Sequence, residues 1–232
     1  MKSKIMIKVL CVTIAIALSG VLFASCQKKA NAEIIKNISE LSTNVYTAKT
    51  EKAAIILTTG ERETPYTVDG VSSARSPYTI ITVRPLEMTD DAVPFDYVIK
   101  AGKNEYRGKL NLHPFGISYT DTINKKTEGE VSVTLTSGGQ TFEEIALDSQ
   151  FTDKMMDWQD ALNKGIGSVK KEVDSLYSDN KLMGEVYVRF TNDSASESGE
   201  YFWYVAVVGN NGKTYGALVN PLSGDIIATK KI

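Results

Sequence analysis

The sequence predicts an α+β chain in two parts: an all-β sandwich, then a domain with a helix packed on an antiparallel sheet. Three observations predict it. Between about residues 49 and 149, runs rich in Ile, Val, Thr and Tyr alternate apolar and polar side chains between turn-forming residues, the period-2 signature of strands. From Met155 the period changes, and Trp158, Leu162, Ile166, Val169, Val173 and Leu176 follow at intervals of three or four, the stripe of one helical face. After residue 184 the strand pattern returns.

In chain order, Lys2, Lys4 and Lys8 open the sequence, and Val9 to Ala24 carries no charge. A basic start before a short apolar run is the signature of an export signal, because the basic end stays inside while the apolar run enters the bilayer. The run closes on Leu22-Phe23-Ala24-Ser25-Cys26. These residues resemble the bacterial lipoprotein signal, in which small residues precede a cysteine that is lipidated and becomes the mature N-terminus. The resemblance implies removal of residues 1–25, lipid attachment at Cys26 and an extracytoplasmic protein anchored to the cell membrane by lipid. Phe23 departs from the family's aliphatic residue. Two alternatives stand beside it. Ala30-Asn31-Ala32 is an A-x-A pattern whose cleavage would leave a secreted soluble chain, and the apolar stretch from Ile5, interrupted by Lys8, is long enough for an uncleaved anchor.

Composition excludes several classes. The chain of 232 residues holds 26 Lys+Arg and 28 Asp+Glu. Since the signal carries three of the lysines and no acid, the remainder is net acidic. That argues against nucleic acid as a partner, which needs a basic face. The two cysteines are Cys11, inside the signal, and Cys26. The mature domains therefore have no thiol for a disulfide, a metal or a nucleophile.

Residues 26–48 read as a polar tether, with Ile34, Ile35, Ile38 and Leu41 at helical spacing. The sandwich, 49–149, takes candidate strands at Ala53–Thr59, Tyr78–Arg84, Phe95–Lys100, Glu105–Leu112, Glu130–Thr136 and Thr141–Leu147. An immunoglobulin-like form fits their number and spacing. The second part, 152–232, opens with the helical stripe. Gly165 and Gly167 in its middle each cost ~1 kcal/mol in a helix interior, so a kink or a break is expected there. Strands follow at Gly184–Phe190, Tyr201–Val208, Thr214–Asn220 and Asp225–Ala228. The second has two apolar faces, Tyr201, Trp203, Val205 and Val207 against Phe202, Tyr204, Ala206 and Val208. Such a strand is central, or one face meets a partner. Tyr201 and Trp203 are the candidate partner contacts.

A helix followed by antiparallel strands, with Tyr204-Val205-Ala206-Val207-Val208, then Gly212-Lys213-Thr214-Tyr215, then Val219-Asn220-Pro221-Leu222-Ser223-Gly224-Asp225-Ile226-Ile227, resembles the PepSY family. Those modules end in a turn of the form V-D-x-x-T-G-E-I-L. Asn220, Ser223 and Asp225 stand for its Asp, Thr and Glu. The resemblance covers about residues 153–232 and implies a small non-catalytic extracytoplasmic module that restrains a peptidase or binds an envelope protein.

Catalytic patterns are missing. His113 is the lone histidine, too few for the usual zinc sites. Gly116-Ile117-Ser118-Tyr119-Thr120 lacks the closing glycine of a nucleophile elbow, and Gly212-Lys213-Thr214 lacks the upstream glycine of a phosphate loop. The oxygen-rich run Asn192 to Glu200 lacks a calcium loop's glycine. Glu143 and Glu144, adjacent on a strand, point to opposite faces, and Asp90-Asp91 is likewise only a neighbouring pair. The sequence therefore predicts no cofactor and a binding role: a non-catalytic envelope lipoprotein that binds a protein or modulates a peptidase. The alternatives are capture of a glycan or small molecule, with Tyr66, Tyr78 or Tyr119 lining a cleft, and a hydrolase using carboxylates alone.

Overall fold

The computed structural model describes residues 32–86, 95–141, 144–192 and 199–232. Residues 32–36 are helical. The strands that follow are β1 (Ile38–Lys49), β2 (Ala53–Glu63), β3 (Arg75–Pro85), β4 (Asp96–Ala101), β5 (Asn104–Lys109), β6 (Asn111–Leu112), β7 (Tyr119–Ile123) and β8 (Val131–Ser137). Next come β9 (Gln140–Thr141), β10 (Ile145–Ser149), β11 (Tyr177–Ser178) and β12 (Lys181–Leu182). The last four are β13 (Gly184–Asn192), β14 (Tyr201–Gly209), β15 (Thr214–Val219) and β16 (Ile226–Lys231). Two short helices, Trp158–Ser168 and Lys170–Asp174, lie between β10 and β11.

Fourteen of these strands form one sheet, which curls into a nearly closed, barrel-like form. All its pairs are antiparallel except β1 with β13. This overturns the expected fold class of a β-sandwich plus a separate helix-on-sheet domain. The chain is mostly β, and β1, inside the segment expected to be a tether, joins its two halves. One edge of β1 pairs with β2 from Glu40↔Arg62 to Lys49↔Ala54. Its other edge is shared. The first half pairs with β13, from Ile38↔Val186 to Ser42↔Arg189, and the far end pairs with β10 through Tyr46↔Ser149 and Thr47↔Asp148. One strand's backbone hydrogen bonds thus bind the early strands to the late ones.

A register shift hides β1 from pattern reading. Ile38 and Leu41, three residues apart, meet Val186 and Val188, two apart, because β1 carries an extra residue between Ile38 and Glu40. Same-face apolar residues spaced by three imitate a helix.

Two apolar cores result. Leu57, Ile81, Ile99 and Val133 centre the one within the curled strands. Val186, Val188, Phe190, Trp203, Val205 and Val207 of β13 and β14 meet Ala161, Leu162 and Ile166 of the longer helix in the other. That helix begins where the Asp157 carboxylate accepts the Gln159 and Asp160 N–H groups at 2.8 and 2.9 Å. It continues through both glycines and breaks at Val169. Gly165 is an approach residue: a Cβ there would lie 2.6 Å from the Val205 Cβ, whereas one at Gly167 would meet nothing within 4 Å. Gly167→Ala is therefore expected to raise stability by about 0.5–1 kcal/mol. Gly165→Ala, despite the same helix-propensity gain, is expected to lower it by about 1–3 kcal/mol through overpacking. Urea midpoints of the two variants check the pair.

Candidate binding surface

The face of β13 and β14 turned away from the helices carries a polar and aromatic cluster. Cross-strand registers place its residues. Glu40 lies between Arg62 of β2 and Tyr187 of β13, while Ser42 lies between Gly60 and Arg189. Tyr78 flanks Gly60 on β3, and Tyr204 flanks Arg189 on β14. Gly60 brings no side chain to this row, and a Cβ there would meet the Leu41 carbonyl oxygen at 2.0 Å. The Tyr78 phenol reaches across it and donates to Glu40 Oε1 at 2.7 Å.

Glu40 is the hub. Its Oε2 accepts from the Tyr66 hydroxyl at 2.9 Å and from Arg189 Nε at 2.6 Å. Arg189 Nη2 also lies 2.6 Å from that oxygen and donates to the Tyr66 hydroxyl. Burial first, and then the Glu40 charge, push Tyr66 and Tyr78 above the ordinary tyrosine value of 10.0. Both are neutral O–H donors at physiological pH. Burial is the largest single influence on Arg189 and opposes its charge, but Glu40, Tyr66 and Tyr78 together outweigh it and the shift is upward. The Arg62 guanidinium stacks 4.7 Å from the Tyr78 ring centroid and 5.4 Å from that of Tyr66. Arg189 sits 5.0 Å from the Tyr187 ring and 6.0 Å from the Tyr204 ring. With both oxygens of Glu40 engaged and its side chain buried, the carboxylate fixes the side chains around it in place. The outer row offers Tyr66, Arg189, Tyr204 and the half-buried Phe202 to a partner.

The expected contact residues fall on the inner face. Trp203 is 1% exposed, and its indole N–H donates to the Met156 carbonyl at 3.1 Å. Tyr201 stacks on Phe190 at 5.3 Å, partly buried against the same core. Their neighbours Phe202 and Tyr204 take the outer face. Of the tyrosines considered for a glycan cleft, Tyr78 and Tyr119 are buried and only Tyr66 reaches solvent. His113 belongs to the turn after β6, where its Nδ1 accepts the Phe115 N–H at 3.3 Å. Asn220 Oδ1 accepts the Leu222 and Ser223 N–H groups at 2.9 and 3.1 Å, so the amide supplies the turn with its acceptor. Glu144 pairs with Lys100 and Ser132 at the surface. Cys26 with the signal segment, Asp90 and Asp91, Glu143, and residues 193–198 of the oxygen-rich run lie outside the described residues.

Sequence reasoning missed Glu40, Arg62, Tyr187 and Arg189. A signal for two of them was present: in Gly184–Phe190, Glu185, Tyr187 and Arg189 alternate with Val186, Val188 and Phe190. Nothing local pointed to Glu40, whose partner Arg189 is 149 positions away. Among the described residues no group of three or more His, Cys, Asp or Glu side chains could hold a metal, and no helix is long and apolar enough to cross a membrane. No family model, curated protein or solved structure matches the chain.

Proposed function

We propose that this chain is a non-catalytic cell-envelope lipoprotein, held at the membrane by a lipid on Cys26, that binds an envelope protein through the outer face of β13 and β14. The observation that carries the binding half is the row of exposed Tyr66 and half-buried Arg189, Tyr204 and Phe202, held together by the Glu40 hydrogen bonds. Tyrosine and arginine are enriched at the energetic centres of protein interfaces, because they bring large contact area and hydrogen-bonding tips at low entropic cost. The anchoring half is supported by the Lys-rich start, the apolar run and Ala24-Ser25-Cys26. A peptidase is the class of partner implied by the PepSY-like end of the sequence.

A photo-crosslinking residue placed at Tyr204 is expected to capture one discrete envelope protein in intact cells. The same probe at Lys103, in the turn between β4 and β5, is expected to capture none. Equal capture at both positions, or none at Tyr204, would sink the binding assignment.

A further inference from the structure

We propose that the loop 64–74 is a membrane-contact surface, resting on the lipid bilayer through Val68 and Val71. The inference rests on the lipid-anchor reading and adds which end of the molecule meets the bilayer.

The loop joins β2 to β3 at the end of the sheet where β1 begins. Its two valines are 60% and 64% exposed, and the loop that presents them is held by hydrogen bonds at its other residues. Glu185, fully buried, accepts the Gly70 N–H at 2.9 Å. Glu63, 1% exposed, accepts from the Ser73 N–H and hydroxyl at 2.9 and 3.0 Å. The Tyr66 hydroxyl is held by Glu40, and the Thr67 carbonyl accepts from the Tyr187 hydroxyl at 3.3 Å. Fixed at four points, the loop presents a solvent-exposed apolar tip, and apolar surface so exposed gains free energy by entering the lipid interface.

The position of the chain's start says what covers it. The Ser72 hydroxyl donates to Asn37 Oδ1 at 3.2 Å, one residue after the helical segment 32–36. From Cys26 to Ala32 there are only six residue steps, a reach of at most ~20 Å. Two exposed lysines come from segments that touch the loop, Lys36 beside the Asn37 that holds Ser72 and Lys213 in the turn that Gly70 meets at Asn210, and they suit anionic headgroups. The acid between the valines, Asp69, is folded back on the loop, where its carboxylate accepts the Val71 N–H at 2.9 Å.

Among the described residues the most exposed apolar side chain elsewhere, Phe115 at 81%, occupies the opposite end. It precedes Tyr119, which lies in one row with Val83, Ile55 and Ala48 near the end of β1. The twelve residues of β1 separate the two ends by ~40 Å. A lipid on Cys26 brings the valine end to the bilayer and holds Phe115 away from it.

The test uses a chain starting at Gln27 behind six histidines, which keeps every described residue and contains no cysteine. It is held on vesicles of phosphatidylcholine and phosphatidylglycerol that contain a nickel-chelating lipid. Val71→Cys and Phe115→Cys are each labelled with an environment-sensitive fluorophore, with circular dichroism to confirm the fold. The label at 71 is expected to shift to the blue and lose at least half its intensity to a lipid-borne quencher, with little change at 115. No quenching at 71, or equal quenching at both, overturns the proposal. Mass spectrometry of the full chain from cell membranes separately reads lipid on Cys26. Its absence removes the anchor reading without touching the vesicle result, and quenching that fails despite lipid on Cys26 rejects this face alone.

Discussion

Trp203→Ala is expected to lower stability by about 3–5 kcal/mol, the range for truncating a buried aromatic. Tyr204→Ala, one residue on, is expected to cost about 1 kcal/mol, as a half-buried surface position. Adjacent residues on a strand point to opposite faces, so the two variants sample the two sides of one sheet. Trp203 stands on β14, between β13 and β15, with Phe190 and Phe151 ring centroids 5.3 and 5.9 Å away. Alanine there removes the indole's apolar burial, opens a cavity and strips the Met156 carbonyl of its donor. Against a domain stability of about 5–15 kcal/mol, such a loss removes between about a fifth and all of the margin that keeps the chain folded. Urea unfolding followed by far-ultraviolet circular dichroism measures both variants without depending on the lost indole. Similar costs at the two positions would mean that the inner and outer faces are misassigned. The same pair separates stability from binding: Tyr204→Ala should keep the fold and lose the partner.

The sequence disclosed elements better than their arrangement. Strand signals overlap a strand at each of the ten expected places, although Glu105–Leu112 and Thr141–Leu147 each straddle two strands and β7 was missed, and the 3–4 stripe located a helix whose Leu162 and Ile166 are buried. These signals are local, so they survive without knowledge of the fold. β1 was lost because its register shift gives Ile38 and Leu41 helical spacing. The fold class failed with it, since β1 is the strand that fuses two expected domains into one sheet. Strand 201–209 shows a second limit. Alternation separates Trp203 from Tyr204, but with both faces apolar it does not say which one turns inward. That depends on the face the Trp158–Ser168 helix covers, a tertiary fact. The Glu40 cluster is the third case, since it gathers residues from β1, β2, β3, β13 and the loop 64–74 that no spacing in the chain connects.

Arg189→Met is expected to cost about 3 kcal/mol, the lower end for breaking a buried ion pair, because a third of the Arg189 side chain still meets water. The cost arises chiefly at Glu40. Its side chain is only 9% exposed, and without the Arg189 guanidinium it keeps two tyrosine donors but loses its hydrogen-bonded cation, leaving only Arg62, which stacks on the tyrosine rings. Glu40→Gln is expected to cost less, about 1–2 kcal/mol, because the amide oxygen still accepts a hydroxyl and the cation it strands is the more exposed partner. The double variant should cost about 3 kcal/mol, no more than Arg189→Met alone and about 1–2 kcal/mol less than the sum of the two single costs, a coupling that arises because removing both charges removes the unpaired anion as well. Urea midpoints of the four proteins measure that coupling, and strict additivity would show that the ion pair does not hold the cluster. A second readout ties the pair to the surface it supports. Glu40 Oε2 takes both Arg189 and Tyr66, and Arg189 also donates to the Tyr66 hydroxyl. Loss of the guanidinium should therefore loosen Tyr66 and the loop behind it. Amide hydrogen exchange within 64–74 is expected to accelerate in Arg189→Met while the Gly70 N–H, held separately by Glu185, stays protected.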